Sequence, residues 1–330
     1  MSHHAARRTG RAGLLLVLAL LAGLLAACGT SSAAQPQTTN TAGGAFPVTI
    51  KGYLGTATIP AQPKRVVALA NGDADAAVAL GVTPIAMAKD PDTANGLYPW
   101  LNGKVDTAKV TMIDISGGVP LEQIAKLQPD LILATNALDI ATSYADLSKI
   151  APTVTRPTKA FDQSWQQTTA LIGKALGRSD AVAGVISSVN NAITATKTKY
   201  PKLAGATFSA AWVVSADQIL VIKDKSDQAV QFMAQLGLSV VPAIAGSPSG
   251  TLSPENLGLL NADLMLVTYN DDSLQSTFPR SALFTSIPAV KTGHYLSISL
   301  DTITQLRSPT AAGIPWLLYQ LAPGLAKVGS

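Results

Sequence analysis

The sequence predicts two α/β lobes with mainly parallel sheets, joined by a single long interlobe helix. Three observations predict it: short apolar runs alternate with helical stretches from about residue 60, the same grammar restarts after residue 204, and one long amphipathic segment lies between the halves. Parallel strands need crossovers, so short strand-like runs separated by helices point to parallel sheets.

In the first half the runs are "RVVALA" (65–70), "VTPIAMA" (82–88), "VTMIDI" (110–115) and "DLILAT" (130–135). The helical stretches between them include "DADAAVALG" (73–81) and "PLEQIAKLQ" (120–128). In the second half "TFSAAWVV", "QILVIK", "DLMLVTY" (263–269) and "HYLSISL" (294–300) read as strands, with a helix at about 226–236. Between the halves lies "SDAVAGVISSVNNAITATKTKYP", 179–201. Ser179 suits the cap position, Asp180 suits the positive end of the dipole, and Val182, Val185, Ile186, Val189 and Ile193 share one face. Pro201 ends the segment, which at about 1.5 Å per residue spans roughly 30 Å, enough to bridge two lobes. The expected boundaries are 46–178 for the N-terminal lobe, 179–201 for the helix and 202–330 for the C-terminal lobe; the alternative is an ordinary helix inside one large domain.

Ahead of the lobes, Arg7, Arg8 and Arg11 precede "AGLLLVLALLAGLLAA" (12–27), which ends in "LAAC" at Cys28. Sixteen apolar residues fall short of the roughly 20 that a spanning helix needs. Small residues before a lone cysteine form a lipobox, so 1–27 reads as a lipoprotein signal peptide and Cys28 as the lipidated amino terminus. A plain cleaved secretory signal is the alternative. The small, polar stretch that follows Cys28 makes 28–45 a flexible tether. The protein is therefore expected to be exported and anchored through lipid to the outer face of the cell membrane.

Composition removes several functions. Cys28 is the only cysteine, so no disulfide can form. Without the three signal arginines the chain holds 21 basic and 20 acidic side chains, and no basic patch offers a source of nucleic-acid affinity. His3 and His4 leave with the signal, which leaves His294 in a predicted strand. No cluster can hold zinc, and no "GxSxG" elbow supports a triad. "KTG" at 291–293 has no accompanying "SxxK", and the glycine pairs at 43–44 and 117–118 lack "GK[ST]". No catalytic residue, metal ligand or resident cofactor is assigned.

The chain contains two glutamates against 18 aspartates. Glu122 stands in "LEQIAKLQPDLILATN" (121–136) and Glu255 in "PENLGLLNADLMLVTYN" (254–270). At one offset of 133 residues Glu122 meets Glu255, Leu127 meets Leu260, Asp130 meets Asp263, Leu131 meets Leu264, Leu133 meets Leu266 and Thr135 meets Thr268. An acid early in a helix after Pro120 or Pro254 is favoured by about 0.3–1 kcal/mol. Aspartate would serve that purpose equally, so the repeated longer arm calls for another reason.

Several phrases together resemble the substrate-binding lipoproteins of iron–siderophore and cobalamin ABC importers: "PKRVVALANGDADAAVALGVTPIA" (63–86), "LEQIAKLQPDLILA" (121–134), "SWQQTTALIGKALGRSDAVA" (164–183), "LSPENLGLLNADLMLV" (252–267) and "IPAVKTGHYLSI" (287–298). The resemblance covers about residues 60 to 322 and implies the class III periplasmic-binding-protein fold, with ligand held in the cleft between lobes. It also implies that a glutamate on each lobe docks into arginine pockets of the permease, and Glu122 and Glu255 match those positions. The ligand it implies is a ferric siderophore delivered to ABC permease subunits by a monomer that performs no covalent chemistry.

Ligand is expected at the carboxyl ends of the strands, where βα loops converge. These loops, among which "LDTITQLRSP" (300–309) is counted, offer Trp212 and Tyr269 as stacking surfaces, Asn71 and Asn136 as neutral hydrogen-bonding groups, and Lys89 and Arg307 as cations. Arginine suits an anionic chelate because its planar fork meets carboxylate or catecholate oxygens. Haem or a corrinoid is the second ligand class for this fold. A lipid-anchored hydrolase and a non-transporting interaction protein are the readings from other classes.

Overall fold

The computed structural model describes residues 46–329 apart from Leu138 and Phe161. The signal peptide, Cys28 and the tether lie outside the described residues. A hairpin of β1 (Val48–Lys51) and β2 (Thr56–Ile59) precedes the first lobe. That lobe is built on β3 (Val66–Ala68), β4 (Ala86–Ala88), β5 (Thr111–Ile113), β6 (Leu131–Ala134) and β7 (Thr153–Thr155). The sheet runs β5-β4-β3-β6-β7, and every pair is parallel. Helices α1 (Asn71–Ala79), α2 (Leu121–Lys126) and α3 (Tyr144–Ile150) lie among these strands, and α4 (Trp165–Leu176) follows them. Both faces are covered: Val66, Leu131 and Leu133 pack on Ile172 and Leu176 of α4, while Val67 and Ile132 pack on Ile124 and Leu147. Burial on both faces explains why these strands read as continuous apolar runs rather than as alternating ones.

A capping box starts α4, with the Ser164 hydroxyl accepting from the Gln167 N–H and the Gln167 side chain accepting from the Ser164 N–H. Gly177, at φ 66°, ends it and turns the chain into α5 (Ser179–Lys199). The long helix thus forms where the sequence places it, with Val189 and Ile193 buried. Its start differs in detail. Ser179 is the first helical residue, Arg178 occupies the cap position, and no side chain caps the end.

The second lobe holds β8 (Thr207–Ser215), β9 (Gln218–Val221), β10 (Ser239–Val240), β11 (Thr251–Leu252), β12 (Leu264–Tyr269) and β13 (Tyr295–Ser297). Its path is β11-β9-β8-β12-β13, with β10 also paired to β8. The pairs β10-β8, β8-β12 and β12-β13 are parallel, whereas β9 and β11 form an antiparallel edge. Around the sheet lie α6 (Gln228–Leu236), the short helices α7 (Pro242–Ala245), α8 (Asp272–Thr277), α9 (Ala282–Ser286) and α10 (Pro288–Lys291), then α11 (Leu300–Arg307) and α12 (Ile314–Gly329).

Residues 300–309, expected as a loop, are mostly helix α11. The Ser299 hydroxyl accepts from the Thr302 N–H at 3.1 Å, Asp301 stands in the first turn, and Ile303 and Leu306 are buried at helical spacing. A strand-like reading of "HYLSISL" had absorbed the cap.

The repeat has a structural meaning at its aspartates. Asp130, just before β6, accepts from the backbone N–H groups of Lys64 and Arg65 at 2.8 Å each, fixing the entry to β3. Asp263, just before β12, accepts from the Thr207 N–H and hydroxyl at 2.8 Å each, fixing the entry to β8. In each lobe one carboxylate therefore sets the start of the neighbouring central strand, and parallel register follows as Val66 with Leu131 and Phe208 with Leu264.

Candidate functional site

At the carboxyl ends of β3 to β6 the first lobe opens into a cavity of about 520 Å³. Its walls include Asn71, Lys89, Tyr98, Asp114, Asn136 and Asp139, contributed by successive βα segments. The backbone positions them. Asn71 begins α1 and its side-chain oxygen accepts from the Gly72 N–H at 2.8 Å. The Lys89 N–H continues the ladder to the Ile113 carbonyl at 2.8 Å. Lys89 Nζ stands 3.9 Å from Asp114 Oδ2, with both side chains largely exposed. The Ser116 hydroxyl and N–H hold the Asp114 carboxyl below its usual range. Tyr98 stacks on Trp100 at 4.9 Å.

Gly72 is required by its neighbour, because a Cβ there would strike the Asn136 amide. Gly72→Ala is expected to push Asn136 out of the cavity wall and weaken ligand binding by about tenfold, the factor that roughly 1.4 kcal/mol gives, with little change in Tm. Titration of the purified variant checks this.

The second lobe contributes a smaller cavity of about 200 Å³, lined by Trp212, Leu220, Ile222, Asp227, Ile303 and Arg307. Arg307, in the last turn of α11, reaches Asp227 at 3.9 Å. The Asp227 carboxylate also caps α6 by accepting from the Ala229 N–H. The Trp212 indole N–H has no hydrogen-bond partner in the wall.

The six predicted ligand-binding residues thus fall into groups. Asn71, Asn136 and Lys89 meet in the first-lobe cavity, and Trp212 and Arg307 meet in the second. Tyr269 joins neither. It is buried on the other face of its sheet, hydroxyl to hydroxyl with Tyr295 at 2.8 Å and packed against Phe278. The reason is register: Thr268 stands beside Trp212 while Tyr269 stands beside Val213, so a period of two turns the Trp212 and Tyr269 rings to opposite faces.

Glu122 is exposed in the first turn of α2. Glu255 is exposed in the first turn of the 3-10 helix Pro254–Leu260, where the Ser253 hydroxyl donates to it at 2.6 Å and holds its pKa below the usual value.

Sequence reasoning missed two carboxylates. Asp73 and Asp75 in α1 are fully buried. Asp73 accepts from the Thr135 N–H at 3.0 Å and from its hydroxyl, and also from the Asn136 N–H, so it sets the loop that carries Asn136. Asp75 Oδ2 accepts from Trp100 Nε1 at 2.7 Å, from the Thr310 hydroxyl at 2.6 Å and from Gln305 Nε2 at 3.4 Å. Thr310 and Gln305 come from the far end of the chain, so Asp75 ties the lobes together. Beside it Trp316 packs on Trp100 at 5.3 Å and Lys104 Nζ donates to the Ala312 carbonyl at 3.2 Å. The remaining gap at the seam is about 20 Å³, lined by Gly72, Asn136, Trp165 and Thr310. The available signal was a pair of acids at i and i+2 in a run otherwise made of small apolar residues.

Burial pushes Asp73 and Asp75 up to about 7, against the lowering effect of their hydrogen bonds. The unfolded chain releases these protons near the ordinary 3.8, so the folded state holds more protons between about pH 4 and pH 7. Stability from this source falls as pH rises through that window and is level above it. Tm is expected to be roughly 5–10 °C higher at pH 5.5 than at pH 8. Below about pH 4 the trend reverses, because Asp263 and Asp114, whose pKa values are lowered by their hydrogen bonds, lose their charge. Thermal unfolding across pH checks both limbs.

The profile of the periplasmic binding protein family matches residues 66–299, which spans both sheets. The chain is 26% identical over 279 residues to the Fe(3+) dicitrate-binding periplasmic protein FecB of Escherichia coli (strain K12), covering 81% of this chain and 87% of that protein. It is 27% identical over 263 residues to the probable siderophore-binding lipoprotein YfiY of Bacillus subtilis (strain 168), covering 74% and 78%. Among solved structures, Staphylococcus aureus SirA complexed with staphyloferrin B matches with a TM-score of 0.68 at 26% identity, covering 84% of this chain and 98% of that one.

Proposed function

Because the chain belongs to the periplasmic binding protein family, we propose that it captures a ferric siderophore between its lobes and delivers it to an ABC importer. The observation that carries this is the open cavity of about 520 Å³ at the strand ends, the place where this architecture receives ligand, in a chain similar along both lobes to proteins named for ferric chelates. The chelate arrives as a finished complex, so the protein supplies shape and hydrogen bonds rather than iron ligands. Asn71 and Asn136 offer neutral donors and acceptors and Lys89 a cation in the first-lobe cavity, and Trp212 and Arg307 line the cavity of the second lobe. Tyr269 acts indirectly, by supporting the sheet beneath.

In this reading the chain performs no covalent chemistry, Glu122 and Glu255 dock to the permease, and a lipid on Cys28 holds the monomer at the outer face of the membrane. A haem reading gains nothing from His294. That side chain precedes β13, at the amino end of the strand, with its Nδ1 2.9 Å from the Thr292 hydroxyl and Asp263 nearby.

Tryptophan-fluorescence titration tests the proposal, since Trp212 lines one cavity and Trp100 stacks on Tyr98 in the wall of the other. Saturable quenching by iron-loaded siderophores, with none by their iron-free forms, haem or cobalamin, is the expected result. No saturation by any iron chelate overturns it.

A further inference from the structure

Tyr98 supplies the aromatic ring in the wall of the first-lobe cavity, yet it belongs to neither sheet. It stands just before the 3-10 turn Pro99–Leu101, and its support is the ring two residues on. Tyr98 stacks on Trp100 with centroids 4.9 Å apart and planes 23° apart. Trp100 is buried, and Pro99 between the two has a fixed φ, so the rings form one stiff bracket.

The bracket is held from the second lobe. Trp100 Nε1 donates to Asp75 Oδ2 at 2.7 Å, and the same oxygen accepts from the Thr310 hydroxyl at 2.6 Å. A hydroxyl has one proton and two lone pairs. The Thr310 oxygen accepts from the Gly313 N–H at 3.0 Å and from Gln305 Nε2 at 3.2 Å, which leaves its proton for Asp75. The other acceptor in reach, Gln305 Oε1, lies farther off at 3.4 Å. Thr310 thereby pins the oxygen that anchors Trp100. Two more contacts from the same part of the chain hold the bracket. Trp316 packs on Trp100 at 5.3 Å, and Lys104 Nζ, just beyond the turn, donates to the Ala312 carbonyl at 3.2 Å. Thr310 itself lines neither ligand cavity, so its effect on a bound molecule passes through Asp75, Trp100 and Tyr98.

We propose that Thr310 is a positioning residue for the first-lobe cavity. Through Asp75 and Trp100 it holds the Tyr98 ring in the wall, so that the wall is complete only while the second lobe is seated on the first. This rests on the reading of that cavity as the ligand site and extends it to residues that do not touch the ligand. A small displacement of the ring is enough, because a gap of roughly 0.5–1 Å already forfeits a quarter to a half of a dispersion contact.

Protein labelled with fluorotyrosine tests this, the Tyr98 fluorine NMR resonance being assigned by its loss in Tyr98→Phe. Thr310→Val keeps the shape and removes the hydroxyl, whereas Thr310→Ser keeps the hydroxyl. In Thr310→Val the Tyr98 resonance is expected to shift or broaden without ligand, and affinity to fall by about fivefold, of the order that one hydrogen bond contributes. Thr310→Ser is expected to restore both. The affinity arm uses whichever of ferric dicitrate, a ferric trihydroxamate and a ferric tricatecholate saturates the native protein. Lys104→Met, an exposed change that cuts the second tie, is expected to move the same resonance by a smaller amount and carries the test should Thr310→Val fail to fold. A native Tyr98 resonance in every folded variant, with only Tm lowered, overturns the proposal, as does a moved resonance with native affinity. If no chelate saturates the native protein the import reading fails, and the resonance alone then decides whether Thr310 positions Tyr98.

Discussion

Replacing Glu122 and Glu255 together by alanine is expected to abolish uptake of the ferric chelate by cells while the purified protein binds it as tightly as before. Both side chains are exposed at the starts of short helices and apart from the walls of the ligand cavities that Asn71, Lys89, Trp212 and Arg307 line. One exposed ion pair contributes only about 0–1 kcal/mol. Two contacts on one body reinforce each other, because the first raises the effective concentration of the second. Single replacements should therefore leave partial uptake, and the double replacement almost none. A helix-start role predicts something different, a loss of about 0.3–1 kcal/mol of stability and no transport defect. Glu122→Asp with Glu255→Asp separates the two, since aspartate satisfies a helix start but shortens the arm. Normal uptake in the double aspartate variant would sink the docking proposal. Glu255 carries an extra tie, the Ser253 hydroxyl at 2.6 Å, which must be given up or shared on docking. Its single replacement is expected to cost less than that of Glu122.

Asp75→Ala is expected to lower stability by about 3–5 kcal/mol at pH 5.5, where the native carboxyl is protonated, and to lower Tm by roughly 10 °C. The alanine leaves the Trp100 indole, the Thr310 hydroxyl and the Gln305 amide without their shared acceptor in a buried seam. Asp75→Asn keeps an acceptor oxygen and removes the ionisation. It should match the native protein at pH 5.5, exceed it at pH 8, and halve the pH dependence of Tm. Thermal unfolding of the three proteins at both pH values decides the matter; identical behaviour of the alanine and asparagine variants would show that the hydrogen bonds contribute nothing. Ligand affinity should fall in the alanine variant as well, because the bonds from Gln305 and Thr310 tie the second lobe to the first at Asp75.

Much of the fold was legible because parallel sheets covered on both faces write themselves as apolar runs between helices, and every such run holds a strand. The long helix was legible from one apolar face that Val189 and Ile193 now bury. The site was legible in part. Segments at strand ends pointed to Asn71, Asn136, Lys89 and Trp212, which line the two cavities, and Arg307 lines the second from helix α11 rather than from a loop. Tyr269 depended on which face a strand residue takes, and that parity is set by register with β8, which no local pattern reveals. Residues 300–307 were misjudged because the Ser299 cap sits inside a run that also suits a strand. Asp73 and Asp75 drew no reading beyond their place in the helical stretch 73–81. Their importance comes from partners 62 and 235 residues away in the chain.

That last separation bears on how the molecule comes to be folded. All strands of the first sheet lie within residues 66–155, and its entry is fixed by Asp130, so it can order itself while the second half is still being made. Asp75 cannot finish in that interval. Its acceptor oxygen waits for Gln305 and Thr310, which follow it by 230 and 235 residues in the chain. At roughly 5–20 residues per second that separation means Asp75 is without these two partners for tens of seconds of synthesis. Closure of the seam then marks the arrival of Gln305 and Thr310. A product truncated before residue 305 keeps that seam open permanently and displays an unfinished surface to any protease or chaperone that surveys new chains.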